Sequence, residues 1–338
     1  GLAYIDEEDR VTVEVAGQWT HTDQAQIAHA LGIPQERVRV IYPAIGGAFG
    51  GREDMSVQIV LALAVWRLDQ RGIRRPVKIV WSREESIIGH GKRHAMFIQY
   101  KSGATHAGKL VAVCVEIIAD GGAYCYTTNK VLGNATITCT GPYAIPNVHV
   151  DTYGVYTNNV PGAAFRGFGS PQVHYAAEMQ MDKLAVALNI DPVEFRWRNA
   201  LREGDTLDVG TSPPGGVVTP EVIEAAANKA GWMRDESGWH RPTLSSEGGV
   251  TRDTQPVTLN TAPPFEMRRG IGFATGFKNV GFSFGFPENC AVRIELHGTS
   301  TIEEAVIYYA GAEVGQGIHT AVAQMASEAL SLPLERLR

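Results

Sequence analysis

Cysteine is scarce in this 338-residue chain: four residues, Cys114, Cys125, Cys139 and Cys290. No two form a CxxC pair and none falls in a metal-ligand cadence. That argues against a zinc site or an iron–sulfur cluster held by this chain alone. Buried free thiols are the expectation, and they suit a reducing cytoplasm. Long apolar runs are lacking too. The longest, Ile59 to Trp66, is far short of a membrane span. The chain opens Gly-Leu-Ala-Tyr, without the basic, apolar and small-residue progression of a signal peptide. Positive charge is not in surplus: 30 Lys and Arg against 36 Asp and Glu leave a net −6, which points away from nucleic acid. The ten histidines make no HExxH-like pair. What is present, 44% hydrophobic and 20% charged residues, describes a globular chain about two domains long, able to bury a core without staples.

Glycine is the excess residue, 37 of 338, close to 11% against about 7% on average. Much of it sits in short clusters inside well-patterned chain. Glycine there marks torsions other residues do not reach, or backbone lying close to a ligand.

The pattern along the chain predicts a strand over 10–16 and a helix over 24–31, with Asp23 as its cap and Gly32 and Pro34 as its stop. A strand over 37–42 and a helix over 55–69 follow. That helix is apolar nearly all round, so it should be buried. Strands are expected over 76–81, 95–101, 109–118 and 151–156. Ser170-Pro171, Asp191-Pro192 and Thr219-Pro220 each read as a cap followed by an N1 proline. From 234 to 267 the pattern dissolves into polar connection. Strands resume over 270–276, 290–297 and 301–309, before a last helix over 318–330.

Three glycine clusters stand out. The first is Gly46-Gly47-Ala48-Phe49-Gly50-Gly51-Arg52-Glu53, between a strand and a helix. Free N–H groups at such a turn suit an anion. Its glycines have P-loop spacing, but Arg52 and Glu53 replace the lysine and hydroxyl, which speaks against a nucleotide-binding P-loop. A tight strand–helix turn is the plainer reading. The second is Ala164-Phe165-Arg166-Gly167-Phe168-Gly169-Ser170-Pro171-Gln172, otherwise a loop with Arg166 salt-bridged at the surface. The third is Glu313-Val314-Gly315-Gln316-Gly317-Ile318-His319-Thr320, otherwise a capped turn. Together they suggest a large anionic cofactor with many acceptors, held from several sides.

In this order, the clusters resemble the molybdenum hydroxylases, the xanthine dehydrogenase and aldehyde oxidase family, in their molybdopterin-binding large subunit. The first matches that family's GGGFGGKE, with Ala48 and Arg52 as exchanges. The second matches AFRGFG(G/S)PQ and the third GQGLHT. The resemblance implies an α+β fold of two molybdopterin-binding lobes, 1–233 and the start of a second over 268–338, joined by the polar connection 234–267. It implies molybdenum with molybdopterin, the cytosine dinucleotide being one form, and iron–sulfur clusters and FAD on partner chains. Gln18 then falls beside an oxo ligand of the metal, and Phe49 and Arg166 at backbone contacts to the centre. Gly47, Ala48, Gly50, Gly315, Gln316 and Gly317 fall at cofactor contacts. Phe168 and Phe282 fall at a pair of rings around a flat substrate, with Ser283 beside them. Glu53 falls where xanthine enzymes bind the purine.

The departures narrow the substrate. Asn134 stands where xanthine enzymes carry an arginine, and lacks its charge and fork. Aldehyde oxidases usually have an apolar residue at the position of Glu53. Another N-heterocycle is therefore expected, with an aldehyde the second choice. The family's general base, a glutamate, is expected beyond Arg338. The chain then reads as incomplete at both ends and inactive alone, and another chain carries the rest of the molybdenum domain. A non-catalytic assembly subunit of the same family is the main alternative.

Overall fold

The computed structural model describes residues 1–213, 215–242, 270–279 and 291–338. The first unit is built on β1 (Leu2–Ile5) and β2 (Val11–Glu14), an antiparallel pair in which Ala3 faces Val13. After β2 the chain forms α1 (Thr20–Leu31) and returns as β3 (Val38–Ile41), parallel to β2. A parallel pair needs such a crossover, because its strand ends lie at opposite edges. α2 (Gln58–Asp69) and the two-residue β4 (Val77–Lys78) complete a sheet ordered β3-β2-β1-β4. Val13, Ile27, Val38, Leu61 and Val65 form its core.

Two expectations change here. α1 starts at Thr20, not 24, and Asp23 does not cap it; Asp23 is buried and accepts from Tyr42 Oη (2.7 Å) and Gln58 Nε2 (3.1 Å). α2 is buried on one face only. Leu61, Ala62 and Val65 turn inward, while Val60 is 57% and Leu63 42% exposed.

After α3 (Arg83–Gly89), capped by a reciprocal Ser82–Glu85 box, the chain builds a second sheet. It runs as a long hairpin, β5 (Met96–Ala104) and β6 (Leu110–Gly122), then α4 (Thr128–Thr138), then β7 (Val148–Tyr156) parallel to β6. The side chains of Val115, Ile117, Leu132 and Val173 fill the space between sheet and helices. α5 (Ser170–Leu188) is capped by Gly169 one residue before the expected Ser170, whose hydroxyl instead accepts from Thr138. α6 (Pro192–Asn199) is capped by Asp191 as expected. Between them, Arg196 is fully buried, donating to Glu178 (2.7 Å) and paired with Asp182 (2.8 Å).

α7 (Thr219–Lys229) precedes a small hairpin, β8 (Met233–Asp235) and β9 (Gly238–His240), so the polar stretch from 234 opens with structure. Trp239 is buried against α6 and α7, and its backbone N–H donates to Glu194 Oε2. The segment 270–279 forms no strand, contrary to expectation; its Ile271 and Phe273 pack on the same cluster. Last come β10 (Val292–Gly298) and β11 (Ile302–Tyr309), an antiparallel pair, and α8 (Ile318–Leu330) at the expected bounds. Helices and mixed sheets together make the fold α+β. Among the described residues no helix is long and apolar enough to cross a membrane. Cys114 and Cys125 are exposed rather than buried, Cys139 is buried, and Cys290 lies outside the described residues.

Candidate functional site

The three glycine turns meet. Gly50 has φ +85°, and a Cβ there would sit 3.3 Å from Phe165 Cα, so the first turn lies backbone to backbone on the second. Gly315 has φ +99°, and a Cβ there would sit 2.9 Å from Gly47 N and 3.1 Å from Ile45 O. The third turn thus lies on the first with no room for a side chain. Both positions need glycine on two counts, torsion and space.

Hydrogen bonds set the register. Arg166 N donates to Phe49 O (2.8 Å), and the Arg166 guanidinium stacks on the Phe49 ring at 5.2 Å. Phe49 and Phe168 both hold positive φ, near +54° and +50°, a strained conformation for aromatic residues that recurs at functional turns. Arg93, which no sequence motif marks, lies over the Phe165 ring at 4.7 Å and donates to Arg166 O (2.7 Å). Arg52 and Arg166 are exposed beside these turns, so the local field favours an anion.

The first turn does not run into a helix. α2 starts only at Gln58, after the irregular stretch 51–57, so P-loop geometry is absent here. Gln18 is tied to it: Gln18 N donates to Arg52 O (3.1 Å), and Arg52 N donates to Gln18 Oε1 (3.3 Å). With its oxygen so engaged, the amide's donor end is the Nε2 group.

The third turn is organised by Glu313, which sits just ahead of the glycine motif. Its carboxylate accepts from Gly315 N (2.9 Å), Gly317 N (3.1 Å) and His319 N (3.3 Å) at the start of α8. The backbone donor at Gly317 leads in holding its pKa below the usual range. Gln316 does not stand free. Its Oε1 accepts from Val314 N (2.7 Å) and its Nε2 donates to Ala312 O (2.8 Å), which leaves one N–H and one lone pair for another partner.

Glu53 and Asp54 follow the first turn, both half-buried. Burial, reinforced by the neighbouring Asp54, pushes Glu53 up to about 7. Burial also pushes Asp54 up to about 7, against the Ala164 N–H that donates to it. Glu53 Oε2 and Asp54 Oδ1 have no hydrogen-bond partner among the described residues. Asn134 lies fully buried on α4, one residue from Ala135, whose N would be 3.2 Å from a Cβ at Gly169. Phe168 is half-buried at the entry to α5. Phe282 and Ser283 lie outside the described residues. The structure therefore brings together Gln18, Gly47, Ala48, Phe49, Gly50, Arg166, Gly315, Gln316 and Gly317, with Glu53 at the end of the first turn.

No group of three or more His, Cys, Asp or Glu among the described residues could hold a metal ion. A metal here would be carried by an organic ligand that the turns grip. The geometry fits such a group, since glycines pack against glycines and arginines border them.

Comparison with known proteins gives the same direction. Residues 1–200 and 249–338 match models of the molybdopterin cofactor-binding domain. The nicotinate dehydrogenase large molybdopterin subunit of Eubacterium barkeri is 44% identical over 230 residues, 68% of this chain and 53% of that protein. The xanthine dehydrogenase molybdenum-binding subunit of Escherichia coli O157:H7 is 29% identical over 342 residues, 100% of this chain and 41% of that protein. The chain thus spans about half or less of these relatives' lengths. Among solved structures, the aldehyde oxidoreductase of Desulfovibrio gigas aligns with TM-score 0.64 and 28% identity over 68% of this chain and 25% of its own. Quinoline 2-oxidoreductase from Pseudomonas putida 86 aligns with TM-score 0.70 and 20% identity over 99% of this chain and 41% of its own, a likeness of fold.

Proposed function

The chain belongs to the molybdopterin cofactor-binding domains of the xanthine dehydrogenase and aldehyde oxidase family, and on that premise we propose that it holds the pterin of a molybdenum hydroxylase acting on an N-heterocycle. The observation that carries this is the backbone interlock at Gly50 and Gly315. It packs the three turns backbone against backbone, so that the motifs matching the family's cofactor contacts converge at one place. Gly47, Ala48, Phe49, Gly50, Gly315 and Gly317 would form the cradle, Gln18 and Gln316 would donate amide hydrogens, and Arg166 would add positive charge. The bound molybdenum would supply a two-electron acceptor and water-derived oxygen.

The substrate reading rests on Glu53. A carboxyl near pH 7 in pKa, with an unpartnered buried oxygen, can accept from a ring N–H or donate to a ring nitrogen. Phe168 would stack on the ring, and Asn134 would be the neutral polar group of the wall behind. Neither an aldehyde nor its oxygen calls for such a carboxyl, and the 44% identity to a nicotinate dehydrogenase subunit leans the same way. Iron–sulfur and flavin groups on partner chains would carry the electrons away, and the general base would come from outside these residues.

The test is metal and pterin analysis of the natively purified complex, followed by anaerobic addition of N-heterocycles. About one molybdenum and one pterin per chain, with heterocycle-dependent reduction, is the expected result. A folded, complete complex with neither group would overturn the proposal.

A further inference from the structure

Three polar residues outside every glycine motif tie together the segments that carry Gln18 and Glu53. Tyr42 directly follows β3, and its ring lies against Gly17, where a Cβ would sit 2.2 Å from Tyr42 Cζ. Gly17 holds no positive φ, so space alone excludes a side chain there. Tyr42 Oη donates to Asp23 Oδ2 (2.7 Å), and the Trp19 N–H and Thr20 hydroxyl face the same phenol oxygen. Tyr42 thus grips the chain on both sides of Gln18, at Gly17 and at Trp19.

Asp23 Oδ2 also accepts from Gln58 Nε2 (3.1 Å), at the first residue of α2. Gln58 Oε1 in turn accepts from Ser56 N (2.8 Å) and Ser56 Oγ (3.2 Å). The irregular stretch 51–57 is therefore held at both ends. Near its start Arg52 bonds Gln18 through two main-chain atoms, and near its end Ser56 bonds Gln58. Glu53 and Asp54 lie between. Asp23 is 2% and Gln58 1% exposed, held to each other and to Tyr42 by neutral donors. Burying a carboxylate and an amide is costly unless they are bonded, and packing alone would be served by apolar residues. Each bond made here fixes a segment that borders the glycine turns.

We propose that Tyr42, Asp23 and Gln58 are positioning residues, a clamp that holds the Gln18 amide in register with the segment carrying Glu53. They act through Gln18 and Arg52 rather than on a ligand. The clamp joins the start of α1 to the start of α2, so the two sides of the site cannot shift independently while its bonds are made. Such support from behind is what keeps a functional side chain within a fraction of an ångström of its place. This deepens the proposed function and rests on that reading for what Gln18 and Glu53 meet.

The experiment compares native complexes carrying the wild-type chain, Tyr42→Phe, Asp23→Leu or Asp23→Asn. Tyr42→Phe removes only the hydroxyl, and Asp23→Asn keeps one oxygen able to accept from both donors. Hydrogen exchange reads the Arg52 N–H, which donates to Gln18 Oε1 (3.3 Å). Electron paramagnetic resonance of the partly reduced complex reads the surroundings of the molybdenum. The expected result is exchange at Arg52 about tenfold faster in Tyr42→Phe and Asp23→Leu, with α2 still protected, and near wild type in Asp23→Asn. The molybdenum signal should change in the same two variants. If Asp23→Leu does not fold, Tyr42→Phe decides. Unchanged exchange at Arg52 in Tyr42→Phe, or an equal rise along α2, would overturn the proposal, the second being the mark of a merely structural role. Faster exchange confined to Arg52 with an unaltered molybdenum signal, or in a complex without molybdenum, keeps the clamp and removes the cofactor role proposed for Gln18.

Discussion

Gly315 lies against the backbone of Gly47, close enough that a Cβ at 315 would be 2.9 Å from Gly47 N. No sequence spacing reveals this contact, yet it joins the first and third glycine turns. Gly315→Ala meets both a forbidden torsion and a main-chain clash. It should destabilise the fold by about 1–3 kcal/mol and lower pterin content more than its effect on stability explains. Thermal unfolding and metal analysis of the purified complex check this. Retention of full pterin by a folded Gly315→Ala protein would show that the interlock does not hold the cofactor.

Arg196 is fully buried and holds the Glu178 carboxylate, which also accepts from Thr275 N (2.9 Å). Removing one partner strands a buried charge, whereas removing both does not. Arg196→Met should cost about 3–5 kcal/mol in denaturant unfolding. The double change Arg196→Met with Glu178→Gln should recover part of that loss. Equal losses in single and double variants would mean that the ion pair is not the source.

Legibility follows the range of the interactions. α8, the β5–β6 hairpin and the Asp191-Pro192 start of α6 are set by local pattern, and they stand where the sequence predicts. α4 carries no such signal. Its Thr, Asn, Val, Ile and Gly133 are poor helix formers, and it forms because β7 and α5 pack around it. Asp23 has the type and place of a cap, but Tyr42 and Gln58 compete for it in three dimensions. The glycine motifs point to the cofactor turns. Glu313 opens the third cluster, but its bracing role shows only in three dimensions; Arg93, which also braces the turns, belongs to no short motif, so nothing local marks it.

α2 tests the same point energetically. Its composition is apolar on every side, but only one face meets the sheet. Leu61→Ala should cost about 2–5 kcal/mol, as a fully buried leucine does, while Leu63→Lys should change stability by less than about 0.5 kcal/mol. Comparable losses at both positions in urea unfolding would mean that α2 is covered on its second face in the complex.

Glu53 and Asp54 predict how stability varies with pH. Each carboxyl is pushed from an ordinary value near 4 up to about 7 in the folded chain. Between those values the native state holds protons that the unfolded chain has released. By linkage, stability then falls as pH rises. The contribution is fully present below about pH 4 and is lost as pH climbs through about 7, where two adjacent buried carboxylates would otherwise both carry charge. Glu53→Gln or Asp54→Asn removes one of the two titrations, so each should flatten the decline across that window. The double variant should flatten it further. Denaturant unfolding of the cofactor-free chain at half-unit intervals reads this directly. His90, His94 and His174, held low by burial, add a slope of opposite sign, so the reading is the difference between wild type and variant. A wild-type slope that the double variant leaves unchanged would mean that both carboxyls ionise freely in the fold, and the proton-donating role proposed for Glu53 would fall with it.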